Sequence, residues 1–286
     1  MNRESICSHV NYDAQMQKIR LGVVSFLNTV PLIDGLEMLD GFSLVSKVPS
    51  SLIGCLECDA VDFALASSID YQTSESDIRI LKCGLLSSDG HTLTVRLCSR
   101  KPIEEVHEVH CDLDSHTSVA LLQIIMKDLF TKDITIIPTE IRQLGKNKKD
   151  WPESVLMIGD KVVVEKYNTE YAYELDLGES WKQQTGLPFV FAIWMGKYNL
   201  PEKVVEIAGM ALERQLQRNM QRLEQVVSKS APVRGWSQQE ALSYVCETMQ
   251  YKWTSRHEES LSYFFERAHD MGIIPSNRKV QFFEWE

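Results

Sequence analysis

The chain has 286 residues, 44% of them hydrophobic and 24% charged, a composition that supports a globular protein with a sizeable core in one or two domains. Its 40 acidic and 30 basic residues leave a net charge of -10, which opposes sequence-independent binding to nucleic-acid backbones or anionic membranes. No uncharged apolar run reaches the roughly 20 residues that span a bilayer, and residues 1–17 hold no apolar secretion segment, so a cytoplasmic protein is expected.

From Lys18 the chain alternates apolar runs with helical stretches, the pattern of an α/β fold with a largely parallel sheet. IRLGVV reads as the first strand, Pro31 opens a helix over PLIDGLEML, and FSLVSKV returns as a strand. SSLIGCLE after Pro49 reads as a helix; its Cys55 and Cys58 fall among apolar residues and suit core packing better than redox chemistry. With seven scattered cysteines, free thiols are expected. VDFALASS is a buried strand, and IRILKCGLLSS and TLTVRLCS are two more around the loop SSDGH.

After Lys101-Pro102 the alternation restarts with EVHCDLD as strand, TSVALLQIIMKDLF as helix and DITIIPT as strand. His107, His110, Cys111, Asp112 and His116 crowd this region, but on a strand His110 and Asp112 face away from Cys111, and no metal site is expected. Residues 140–153 read as an exposed loop whose Lys146, Lys148 and Lys149 are a solvated charge run. SVLMIGD is a buried strand, YELDLG a short strand before a helix, and LPFVFAIWMGK the most hydrophobic strand. Everything beyond it reads as helical: a long helix from Pro201 with Arg214, Arg218 and Arg222 on a solvated face, then two shorter amphipathic helices. The acidic balance and the lack of a basic recognition helix oppose a helix-turn-helix reading of that pair.

Two α/β lobes with a helical C-terminal segment follow, divided as an extension at 1–17, lobe 1 at 18–99 plus 196–286, and lobe 2 at 100–195. Such a chain places a ligand in the cleft between lobes, at the carboxyl ends of strands. Motifs for dinucleotide, P-loop, α/β-hydrolase and zincin chemistry are absent. What recurs is small polar residues at strand-to-helix junctions: Ser25, Asn28 and Thr29; Ser67 and Ser68; Ser87, Ser88, Asp89 and Gly90; Ser115, Thr117 and Ser118; Gly159 and Asp160. Any one of them is ordinary capping, but together, with helix N-terminal amides, they suit a small carboxylate-bearing ligand.

The words SFLNTVPLI (25–33), SDG (88–90), SHTSVALL (115–122), LMIGD (156–160) and DLGESWKQQTGLPFVFAIW (176–194) resemble the chorismate dehydratase family, the first enzymes of the futalosine route to menaquinone. The resemblance runs in order over residues 18–196. It implies a type 2 periplasmic-binding-protein-like fold, elimination of water from chorismate, and no metal or organic cofactor. It also implies Asn28 as catalytic residue, with Ser25, Ser88, Thr94, Ser115, Thr117, Ser118, Gly159 and Asp160 as substrate contacts. Where the family commonly has proline after SDG and arginine in the SxTS word, this chain has His91 and His116. The second change replaces a permanent cation by a titratable one. With no dependable Glu or His in the motifs, the substrate's enolpyruvyl carboxylate is the expected base. The rival readings are a non-catalytic receptor of the same fold and the sibling family that makes 1,4-dihydroxy-6-naphthoate, which the SFLNT and TGLPFVFA words fit less well. Oligomeric state leaves no mark in the sequence.

Overall fold

The computed structural model describes residues 18–145, 147–164 and 170–285, so the extension at 1–17 and Lys146 lie outside the described residues. In chain order the elements are β1 (Ile19–Val23), α1 (Val30–Ile33), β2 (Phe42–Ser46), α2 (Pro49–Glu57), β3 (Phe63–Ser67), α3 (Asp70–Thr73) and β4 (Ile78–Ser88). Then come β5 (Val95–Ser99), β6 (Glu108–Asp112), α4 (His116–Phe130), β7 (Thr135–Thr139), β8 (Ser154–Ile158), α5 (Lys161–Val164), β9 (Tyr173–Asp176), α6 (Leu177–Thr185) and β10 (Phe189–Lys197). The remainder holds α7 (Glu202–Gln221), α8 (Leu223–Ser230), α9 (Gln238–Ser243), β11 (Met249–Gln250) and α10 (Ser255–Asp270).

Two sheets divide these strands, six in the order β11-β4-β10-β3-β1-β2 and five in the order β7-β6-β8-β5-β9. Pairing is mixed rather than largely parallel. β1 runs parallel to β2 and β3, and β6 parallel to β7 and β8. The strands that follow each passage between lobes run against their neighbours: β10 is antiparallel to β3 and β4, and β5 to β8 and β9. A strand entering from the other lobe arrives from the cleft side, opposite to one delivered by a helical crossover.

Sheet membership moves the lobe boundaries. The chain leaves the first sheet after Ser88 and returns at Phe189, so β5 belongs to the second lobe and β10 to the first, where divisions near 100 and 195 were expected. The SSDGH turn is therefore not a hairpin between β4 and β5. It turns the chain out of the first sheet, with Leu93 in the left-handed region at φ 64.

Three other expectations change. The helix over PLIDGLEML ends at Ile33, because Gly35 takes φ 85, and it continues only as a short 3₁₀ turn at Leu36–Met38. Arg222 is not simply solvated: its guanidinium pairs with Asp34 at 2.8 Å, beside Asn219 and Gln215, which donate to the Asp34 carbonyl. Beyond β10 the chain is not all helical. β11 joins the first sheet, a π-helical turn occupies Tyr244–Thr248, and Phe282 bridges Ile80.

The longest matched word is mostly scaffold. Asp176 caps α6 through the amides of Gly178 and Glu179, and Gly186 ends that helix at φ 72. Trp181, fully buried, donates its indole N–H to Ser260 at 3.1 Å and meets Phe189 and Phe264 edge-on. Among the described residues no helix is long and apolar enough to cross a membrane. Gly178 permits a close approach of α6 to the loop that follows β4: a Cβ there would lie 2.2 Å from Thr92 Cγ2 and 2.6 Å from the Gly90 carbonyl. Gly178→Ala is accordingly expected to destabilise the fold by about 3 kcal/mol, measured by urea unfolding.

Candidate functional site

Between the lobes lies a cavity lined by Phe26, Asn28, Pro49, Leu86, Thr92, Thr94, Val95, Ser115, Ser118, Ile158, Gly159, Phe191, Ala192 and Met249. Of the residues singled out from sequence, Asn28, Thr94, Ser115, Ser118 and Gly159 meet there. The lining contains an amide, four hydroxyls and apolar surface, and among the described residues no formal charge.

Asn28 sits in a 3₁₀ turn, Leu27–Thr29, directly after β1. Its side-chain nitrogen donates to the Tyr244 hydroxyl at 3.1 Å, whereas Oδ1, in a residue only 8% exposed, has no partner. An unpartnered buried amide oxygen is costly unless something entering the cavity bonds to it. Because a phenol hydroxyl both donates and accepts, the amide can be held by Tyr244 through either end.

Asp160 does not line the cavity; it braces it. From the end of β8 its carboxylate accepts the Leu27 amide at 3.2 Å and the Trp236 indole N–H at 3.1 Å, tying the Asn28 turn to the opposite lobe. Burial pushes its carboxyl above the usual range, and those two donors oppose the rise. Gly159, at φ 83, lies against the Phe26 ring, which a Cβ would meet at 3.1 Å. Ser25 is exposed and contributes its carbonyl to Arg234 rather than a hydroxyl to the cleft.

The second polar group stands at the N-terminus of α4. Ser115 caps it, its hydroxyl accepting from the Ser118 amide, and both side chains reach the cavity. Thr117 points instead to the first lobe, where its hydroxyl meets Ser68 at 3.2 Å and accepts the Ile69 amide at 3.1 Å. His116 also turns away, onto buried Asp70 at 2.7 Å. That hydrogen bond raises the imidazole's pKa against the effect of burial.

The third group comes from the crossing loop. Thr92 and Thr94 line the cavity, and Thr94 Oγ1 lies 2.7 Å from the Tyr244 hydroxyl. Ser88 is buried and donates to the Gly90 carbonyl at 3.1 Å, shaping the turn rather than lining the cavity. Asp176 holds the whole loop: its carboxylate accepts the Thr92 and Leu93 amides, the Thr92 hydroxyl, and His91 Nδ1 at 2.9 Å. These bonds stabilise the left-handed Leu93. Neither His91 nor His116 lines the cavity.

A family model described as menaquinone biosynthesis matches residues 19–270. The chain belongs to that family. A curated chorismate dehydratase from Thermus thermophilus is 28% identical over 232 residues, covering 76% of this chain and 83% of the relative. Among solved structures, a protein from Archaeoglobus fulgidus superposes with a TM-score of 0.74 at 15% identity, covering 90% of this chain and 99% of that one. The periplasmic aliphatic sulphonate binding protein of Escherichia coli gives 0.63 at 13% identity, covering 91% and 94%. These likenesses identify the fold as the two-lobed periplasmic-binding-protein-like (type 2) architecture that the alternation of elements suggested.

Within this menaquinone biosynthesis family member, several residues in or behind the cavity wall carry no mark in the sequence. Phe191 belongs to the most hydrophobic strand and reads as core, yet the β10–β4 register shifts between Val190 and Ala192 and Phe191 faces the cleft. Tyr244 and Trp236 lie in the tail, outside every matched word, and reach the site only through the tertiary fold. Strand-end polarity was the available signal, and neither residue has it.

Burial alone would raise the Asp176 pKa, but its bonds to His91 and to the Glu179 and Thr92 amides hold it below the usual carboxylate range. A carboxyl depressed on folding contributes stability present above its unfolded value, about 3.9, and lost as the pH falls through the folded value. Asp176→Ala is expected to cost about 3 kcal/mol at pH 7, the gap to wild type narrowing toward pH 3 in urea unfolding.

Proposed function

We propose that the chain is a chorismate dehydratase, a hydro-lyase that eliminates water from chorismate to give 3-[(1-carboxyvinyl)oxy]benzoate in the futalosine route to menaquinone, acting in the cytoplasm. The observation that carries this reading is Asn28, nine-tenths buried, with one end of its side-chain amide on Tyr244 and the other without a partner at a cavity whose described lining has no charged side chain. The Thermus thermophilus relative supports the choice of reaction.

The elimination breaks the ring C–H bond beside the enolpyruvyl ether and the neighbouring C–O bond, and forms an aromatic ring and one water. It is redox-neutral, and aromatisation drives it. Developing charge spreads onto the ring carboxylate, where fixed donors are effective because they need no reorganisation. Ser115, Ser118 and the N-terminal dipole of the 15-residue α4 provide such donors for a carboxylate.

A base is also required, and the described lining offers only hydroxyls and one amide. A substrate carboxylate in a largely apolar cavity without an adjacent cation is a stronger base than in water, since desolvation disfavours its charged form. The enolpyruvyl carboxylate, tethered through the ether oxygen to the carbon that bears the proton, takes that role with the advantage of proximity, and the proton it accepts goes on to the departing hydroxyl to complete the water. Asn28 serves the leaving group: with Oδ1 accepting the Tyr244 hydroxyl proton, Nδ2 faces the cavity and donates to the departing ring hydroxyl. Phe191, Leu86 and Val95 supply apolar surface for the ring.

Incubation of the purified protein with chorismate, followed by mass spectrometry and ultraviolet absorbance, is expected to show loss of one water and a new benzoate chromophore. Asn28→Ala is expected to lower kcat at least about tenfold with an unchanged unfolding midpoint. His91→Ala and His116→Ala should retain turnover. Chorismate binding without product would instead identify a receptor, and loss of turnover with retained binding in either histidine variant would remove the substrate carboxylate as base.

A further inference from the structure

We infer that Tyr244 is a positioning residue, a buried phenol that sets which end of the Asn28 amide meets the ligand. The inference rests on the dehydratase reading for what Asn28 does to substrate, but not for how Asn28 is held.

Tyr244 is only 1% exposed and does not line the cavity. Its hydroxyl stands between Asn28 Nδ2 at 3.1 Å and Thr94 Oγ1 at 2.7 Å, so one phenol links a residue after β1 to one beside β5, across the two lobes. The ring is fixed independently of those bonds. It stacks on Trp236 with centroids 5.0 Å apart and planes 11° apart, and Trp236 is anchored by its indole N–H to Asp160. Tyr244 also opens a π-helical turn, a local widening that often accompanies functional sites and here follows directly on α9.

The hydrogen-bond inventory explains what this arrangement does. A phenol has one proton to give, and burial keeps Tyr244 protonated by pushing its pKa well up. If Thr94 donates to the phenol oxygen, the phenol proton is free to go to Asn28 Oδ1, and the amide NH2 turns toward the cavity. If the phenol donates to Thr94, Asn28 must donate to the phenol, and the amide oxygen faces the cavity, as in the hydrogen bonds described above. The hydroxyl pair therefore selects between a site that presents a donor and one that presents an acceptor, at fixed backbone geometry. A ligand hydroxyl contacting Thr94 biases the pair.

The test compares wild type, Tyr244→Phe, Asn28→Ala and the double variant. Phenylalanine keeps the stack on Trp236 and removes only the hydroxyl. Tyr244→Phe is expected to lower kcat about tenfold with KM within about twofold of wild type, and to lower it by less than about twofold when Asn28 is already alanine. A kcat near wild type, or a loss that multiplies fully with that of Asn28→Ala, overturns the inference. Should Tyr244→Phe fail to fold, Thr94→Val, which removes the phenol's other partner, is expected to show the same non-additivity with Asn28→Ala. A second readout does not depend on turnover: the Asn28 side-chain amide resonances, assigned by their loss in Asn28→Ala, should move in Tyr244→Phe, and unmoved resonances overturn the positioning role. Absence of turnover in the wild-type protein would fail the dehydratase reading alone and leave the resonance test standing.

Discussion

Two segments distant in sequence converge on one short turn, Leu27–Thr29, and the site depends on how that turn is held. The Leu27 amide is fixed by Asp160 from the second lobe, and the Asn28 side chain by Tyr244 from the C-terminal helices. Asp160 and Tyr244 are themselves joined through Trp236, which bonds to one and stacks on the other. Loss of any member leaves buried polar groups without partners, which costs more than the bond itself contributes. The turn is thus rigid while one amide atom is left without a partner in a residue that lines the cavity, the combination that a positioned catalytic group needs.

Charge is handled in the same economical way. The protein as a whole carries -10, and its cavity lining, among the described residues, carries no formal charge. Several nearby ionisable side chains pair with one another, His91 with Asp176, His116 with Asp70, Lys161 with Asp112 and Asp114, while Asp160 is held by the Leu27 amide and the Trp236 indole. A small anion entering this space meets dipoles and hydroxyls rather than cations. That keeps the anion basic, whereas an arginine beside it would lower its proton affinity.

The lobes, most strands and the cleft were legible because buried strands and amphipathic helices leave periodic apolar patterns. Which sheet a strand joins leaves no such pattern. IRILKCGLLSS and TLTVRLCS look alike and are adjacent in sequence, yet they belong to different sheets, since the decision is made by a left-handed Leu93 and the Asp176 carboxylate more than 80 residues away. Site residues divided along a similar line. Asn28, Ser115 and Ser118 were visible as polar residues at element ends and Thr94 only through the family resemblance, but the same strand-end signal also selected Thr117 and Asp160, whose polar atoms bind the other lobe. Tyr244 was invisible. Its neighbours Ala241 and Val245 are buried with it, so the sequence reads a core helix, and only the fold brings its hydroxyl beside the amide of Asn28.

In the proposed reaction chorismate binds between Asn28 and the N-terminus of α4 without a protein charge at the reacting carbon. The most direct measurement is a crystal structure of the Asn28→Ala protein with chorismate, in which a slowed elimination leaves the substrate intact. The ring is expected against Phe191, one carboxylate on Ser115 and Ser118, and the enolpyruvyl carboxylate turned back toward the ring proton. A ligand bound outside this cavity, or a carboxylate of the protein within hydrogen-bond distance of that proton, would contradict it.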